Sequence, residues 1–135
     1  MAYIDWNESY SVGVKTMDDQ HKKLIGMINQ LHDAMKEGKG SSEIGSVLSG
    51  LSDYTKYHFT AEEKLLKENN YPMLLIQENR HKEFITKLDE FQKDVSSKNL
   101  AISLKVRDFL RDWLINHISG EDKKYMKYLN DKGIN

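Results

Sequence analysis

Four separate stretches of this chain repeat apolar residues at helical spacing, and each carries one histidine on its apolar stripe. Residues three, four and seven apart share one face of a helix. From His21 those neighbours are Leu24, Ile25 and Ile28, and from His58 they are Leu51, Tyr54 and Leu65. From His81 they are Leu74, Phe84, Ile85 and Leu88, and from His117 they are Leu110, Trp113 and Leu114. A chain patterned in this way has few ways to fold, because each stripe must be covered and each inward imidazole needs partners for its ring nitrogens. Short connections between the stripes imply antiparallel neighbours. The expected fold is all-α: an antiparallel up-down-up-down four-helix bundle with an extended N-terminal arm and a short C-terminal helix.

Turn and cap residues set the expected boundaries within a single domain, residues 1–135. Residues 1–16 lack a helical period and read as an arm packed on the bundle. The first helix, about 17–37, has Thr16 or Asp18 as its cap and Gly38 as its stop. The second, about 42–69, has Ser41 or Ser42 as cap; Gly45 and Gly50 inside it suggest close helix packing. Pro72 suits the first position of a third helix, about 72–95. Ser96 to Asn99 forms the next turn, followed by a fourth helix, about 99–118, whose apolar residues include Leu104 and Val106. A short helix, about 121–130, follows.

Composition narrows the chemistry. There is no cysteine, so disulfides, thiolate zinc sites, iron–sulfur clusters and cysteine nucleophiles are all excluded. Twenty basic residues against twenty-one acidic ones, without a basic block, speak against a nucleic-acid partner. No apolar run approaches the roughly 18 residues of a membrane span, and the first residues lack the pattern of a secretory signal. A cytoplasmic, soluble protein is the expectation.

The inward histidines also agree in depth. His21 starts the first helix and His117 ends the fourth, which antiparallel packing puts at one end of the bundle. His58 and His81 flank the turn between the second and third helices, each on the order of 10–16 Å from it at about 1.5 Å per residue. Two carboxylates sit at ligand-like offsets: Glu62 four residues after His58, and Asp122 five after His117. Taken alone, each inward histidine reads more readily as a satisfied core residue. Four of them at one level, joined by two carboxylates, satisfy one another most simply around metal. Nitrogen and oxygen donors suit iron, manganese, zinc or copper. So many ligands fit two ions, with Glu62 and Asp122 able to bridge.

Further residues frame this cluster. Leu24, Phe59, Trp113 and Ile118 flank the proposed ligands and would line a dry apolar pocket beside them. Tyr54, Tyr57 and Tyr125 are candidate donors around it. His32, eleven residues after His21, lies too far along the axis and reads as a helix-end residue, while Lys123 and Lys124 read as a solvated face.

The segments Ile4-Asp5-Trp6, Ser11-Val12-Gly13-Val14, Asp18-Asp19-Gln20-His21, His58-Phe59-Thr60-Ala61-Glu62, Tyr71-Pro72, His81-Lys82-Glu83-Phe84 and Trp113 through Asp122 resemble those of the hemerythrins, especially the single-domain bacterial ones. The resemblance implies two non-haem iron ions, bridged by an oxo or hydroxo group and two carboxylates, that bind O2 reversibly for storage, delivery or sensing. It also implies other small exogenous ligands: azide, peroxide and NO. Carried over residue by residue, His21 and His58 would hold an iron with an open position, His81 and His117 the other, and Glu62 and Asp122 would bridge. The family has a further histidine four residues before the position of His81, and here that residue is Gln77. Gln77 would face the site as a poor amide ligand, with Glu78 as its rival. That departure leaves open a di-iron peroxidase or oxidase, or a structural or sensory metal module, beside an oxygen carrier that is not an enzyme.

Overall fold

A computed structural model describes residues 3–97 and 100–135. Its helices are α1 (Lys15–Lys36), α2 (Ser41–Glu68), α3 (Leu74–Ser96) and α4 (Leu100–His117), followed by a π-helical turn over Ile118–Asp122 and the short α5 (Lys123–Asn130). The four long helices pack in chain order, α1 on α2, α2 on α3 and α3 on α4, as an antiparallel bundle. Its interior is filled by Leu24, Ile28 and Leu31 of α1, Leu48, Leu51 and Leu66 of α2, Phe84, Leu88 and Phe91 of α3, and Leu110 and Leu114 of α4. Among the described residues no helix is long and apolar enough to cross a membrane.

The arm is fastened at several points, among them a hydrogen bond from the Tyr3 hydroxyl to Asp108 of α4. Asn29 exchanges two hydrogen bonds with the backbone of Ile4, at 2.7 and 2.8 Å. Asp18 accepts from the Ser11 hydroxyl at 2.6 Å and from the Val12 N–H at 2.8 Å. Asn130 of α5 donates to the Gly13 carbonyl at 3.0 Å. Ile4, Val12 and Val14 are buried beneath these bonds. A 3-10 turn, Glu8–Tyr10, lies between them.

Helix ends depart from expectation at the starts of α1, α2 and α3. Neither Thr16 nor Asp18 caps α1, which starts at Lys15 behind Val14 with no side-chain cap, because Asp18 is engaged by the arm. Likewise α2 starts at Ser41 behind Gly40, without a capping bond from Ser41 or Ser42. Gly38 follows the end of α1 at φ +71°, the left-handed geometry glycine accepts freely. Pro72 lies in the turn, and α3 begins only at Leu74. Lys98 and Asn99, where the turn before α4 was expected, lie outside the described residues, as do Met1 and Ala2.

Leu104 is exposed rather than part of the α4 core face. It stands two residues before buried Val106, about 200° around the helix. Close packing does not explain the α2 glycines either. A Cβ at Gly45 would meet nothing within 4 Å, and one at Gly50 only the Met27 methyl at 3.7 Å.

Two alanine substitutions should therefore shift stability in opposite directions. At Gly13 the φ is +68° and a Cβ would come within 2.6 Å of Met126 Cγ, so Gly13→Ala should lower unfolding free energy by about 1–2 kcal/mol. Gly45→Ala should raise it by about 0.5–1 kcal/mol by stiffening the unfolded chain at an unobstructed helical site. Urea midpoints at constant m-value check both.

Candidate metal centre

The bundle brings His21 from α1, His58 and Glu62 from α2, Gln77 and His81 from α3, His117 from the end of α4 and Asp122 from the π turn into one interior layer. None is more than 3 % exposed. His58 and Glu62 face inward together because they are one helical turn apart. The same rule would not align His117 with Asp122, since five α-helical residues leave about 140° between them. The π turn supplies the difference. The Lys123 N–H reaches the Ile118 carbonyl, an i to i+5 bond, and the widened turn lets the fifth residue return to the face of His117.

Both carboxylates divide their oxygens between two groups of imidazoles. Glu62 Oε2 lies 3.4 Å from His21 Nε2 and 3.6 Å from His58 Nε2, while Glu62 Oε1 lies 3.0 Å from His81 Nε2. Asp122 Oδ2 lies 3.3 Å from His21 Nε2, while Oδ1 lies 3.1 Å from His117 Nε2. Oδ1 also accepts a hydrogen bond from Gln77 Nε2 at 3.0 Å. Two clusters of donor atoms result, His21–His58–Glu62 and Glu62–His81–His117–Asp122, and Glu62 belongs to both.

Partners farther out orient these groups. His58 Nδ1 lies 2.6 Å from the Gln20 side-chain oxygen and His81 Nδ1 lies 2.7 Å from Glu63. An oxygen acceptor there holds a ring hydrogen on Nδ1 and turns Nε2 toward the cluster. The Tyr125 hydroxyl donates to Glu62 Oε2 at 2.8 Å. Phe59 stacks on the His81 ring at 3.8 Å and Trp113 on the His117 ring at 4.5 Å.

The inner atoms are not satisfied by one another. Nε2 of His21, His81 and His117, Glu62 Oε1, Asp122 Oδ2 and Gln77 Oε1 are all buried without an aligned hydrogen bond. Unpaired buried polar atoms in this number carry a heavy desolvation cost. Imidazole nitrogens and carboxylate oxygens converging without hydrogen-bond alignment fit transition-metal ions, and the donor set is the one expected without thiolates.

Burial and charge act against each other in this layer. Burial disfavours charge on His21, but Asp122 and Glu62 outweigh it and raise its pKa to about 10. His81 is raised to about 9, against burial, by Glu62 and Glu63. Burial pushes His58 down to about 4. Glu62 and Asp122 stay below the usual carboxylate range despite burial, held there by the imidazoles.

Other sequence candidates fall into place around this layer. Leu24, Phe59, Trp113 and Ile118 are buried. Glu78 is only half-buried and lines a surface depression with Lys56, Glu63 and Lys82, so it is Gln77 that enters the cluster. Of the three tyrosines, Tyr125 bonds a cluster carboxylate, whereas Tyr54 pairs with exposed Tyr57. His32 stacks on Tyr3 at 4.1 Å, away from the cluster. Gln20 and Glu63 were not anticipated: each stands beside a cluster residue, but its partner belongs to another helix.

The neighbouring carboxylates thus favour the protonated forms of His21 and His81 at pH 7, and a metal bound through Nε2 would have to displace those protons. Apparent affinity should rise by about one decade per pH unit for each ion from 7 toward 9, about two for uptake of the pair, and less steeply once His81 has lost its proton. Chelator-competition titrations across this range check the slope. A pH-independent affinity would contradict this electrostatic arrangement.

Comparison with known proteins agrees with this geometry. The hemerythrin HHE cation binding domain matches residues 12–129. Bacteriohemerythrin of Stenotrophomonas maltophilia is 34 % identical over 125 residues, covering 93 % of this chain and 80 % of that protein. Bacteriohemerythrin of Methylococcus capsulatus is 33 % identical over 126 residues, covering 93 % and 95 %. A crystal structure of wild-type hemerythrin superposes with a TM-score of 0.85 at 32 % identity, covering 93 % of this chain and 97 % of that one. With its all-helical bundle and its buried cluster of imidazoles and carboxylates, this chain belongs to the hemerythrin family.

Proposed function

We propose that this chain is a non-haem di-iron protein that binds O2 reversibly. The observation that carries the reading is the division of each carboxylate between two imidazole groups. A carboxylate with one oxygen on each side is arranged to bridge two ions, whereas a single ion would draw both oxygens to itself. His21 and His58 would hold one iron, His81 and His117 the other, and Glu62 and Asp122 would span them. When bound, the iron pair supplies the electrons on which reversible O2 binding depends.

The chain's own groups set the conditions for that chemistry. Gln20 and Glu63 keep the Nε2 atoms of His58 and His81 available as donors. Tyr125 steadies Glu62, and its own proton is held firmly because burial, Glu62 and Asp122 all raise its pKa well above the ordinary value. Leu24, Phe59, Trp113 and Ile118 would form apolar walls that keep water from the bound ligand and slow irreversible oxidation. No residue in the layer is a free nucleophile or an exposed acid. That favours carriage, storage or sensing of O2 over turnover of an organic substrate.

Metal analysis of protein reconstituted with ferrous iron should give about two irons per chain. Air admitted to the anaerobic reduced protein should produce a visible absorption band that nitrogen purging removes. A band that does not reverse, with turnover of H2O2 by an added electron donor, would point to a peroxidase or oxidase. Zinc, or near one equivalent of metal, would point to a structural or sensory module.

A further inference from the structure

We infer that Gln77 stays outside the donor set: its N–H holds Asp122, and its carbonyl accepts a hydrogen bond from a water at an exchangeable position on the metal held by His81 and His117. The inference rests on the two-metal reading above. It begins from an asymmetry in the cluster. On one side stand His21 and His58 with Glu62 Oε2 and Asp122 Oδ2; on the other stand His81 and His117 with Glu62 Oε1 and Asp122 Oδ1. Each side has two imidazoles and two carboxylate oxygens, fewer donors than an octahedral ion takes. On the first side the Tyr125 hydroxyl is taken up by Glu62 Oε2; the second side has in addition the Gln77 amide, whose oxygen is without a partner.

The orientation of the Gln77 amide follows from its neighbour. Its Nε2 donates to Asp122 Oδ1 at 3.0 Å. The reversed amide would set a carbonyl oxygen against a carboxylate oxygen, so the nitrogen must face Asp122. That nitrogen has no lone pair to give a metal. To ligate through Oε1 the amide would have to turn and give up a charge-assisted hydrogen bond. As it stands, Oε1 is buried with no partner, and a buried carbonyl in a polar setting calls for a donor such as water.

Two surface depressions lie on the same side. A depression of about 300 Å³ reaches His117 beside Trp113, and another of about 460 Å³ reaches His81 beside Phe59. Either is large against the roughly 30 Å³ that one water occupies in the liquid. Each depression has one of the two imidazoles of that side in its wall.

Water-proton relaxation of the Mn(II)-loaded protein tests the inference without any activity assay, with circular dichroism confirming helicity in each variant. Gln77→His, which offers an imidazole to the same metal, should remove one exchangeable water per chain. Gln77→Leu should keep that water while weakening metal binding roughly tenfold, through loss of the bond to Asp122. An unchanged relaxation in Gln77→His, or a gain in Gln77→Leu, would overturn the inference, the latter because the amide oxygen would then have been a ligand. Uptake of two Mn(II) per chain with either result leaves the two-metal reading standing. Uptake of fewer than two by the unsubstituted chain would contradict that reading and this inference together.

Discussion

Two carboxylates and four imidazoles share a layer buried from bulk solvent, and the rest of the molecule is organised around that fact. Removing even one such charge from water costs several kcal/mol unless partners replace the lost hydration. Here the replacement is collective. Each carboxylate oxygen is approached by imidazole nitrogens from at least one other helix, so no pair can be assembled before the bundle is. The layer is therefore both the most demanding part of the interior and a device that selects the register of the helices. A slip of one turn in any helix would move its imidazole about 5.4 Å and strand a carboxylate.

Several features outside the layer make sense as supports for it. The π turn after α4 widens the helix where His117 and Asp122 must face the same way. The arm, tied to α1 through Asp18 and Asn29 and to α5 through Asn130, closes the end of the bundle at which His21 lies. Tyr125 of α5 reaches Glu62, so the short last helix contributes to the layer rather than merely ending the chain. The stacked rings of Phe59 and Trp113 limit how far His81 and His117 can tilt.

The periodic stripes were enough to read the bundle, because a histidine among leucines at spacings of three and four has one plausible direction to face. The depth of the layer was legible for the same reason: positions along helices of known rise can be compared once the helices are taken as antiparallel. Caps were misread where a side chain had a tertiary competitor, as Asp18 did in the arm. The π turn left a trace in the spacing of five between His117 and Asp122, but an α-helical rule has no place for it. Gln20 and Glu63 were illegible in principle, since the imidazoles they orient lie 38 and 18 residues away. Gln77 shows the reverse situation: its inward direction was readable, while the direction of its amide depended on Asp122, 45 residues further on.

Anomalous diffraction at the iron edge from crystals of the reconstituted protein tests the central claim most directly. The account requires two separate peaks in the layer, one against His21 and His58 and one against His81 and His117, with a Glu62 and an Asp122 oxygen touching each. A single peak, or two peaks with both oxygens of either carboxylate on the same ion, would contradict it.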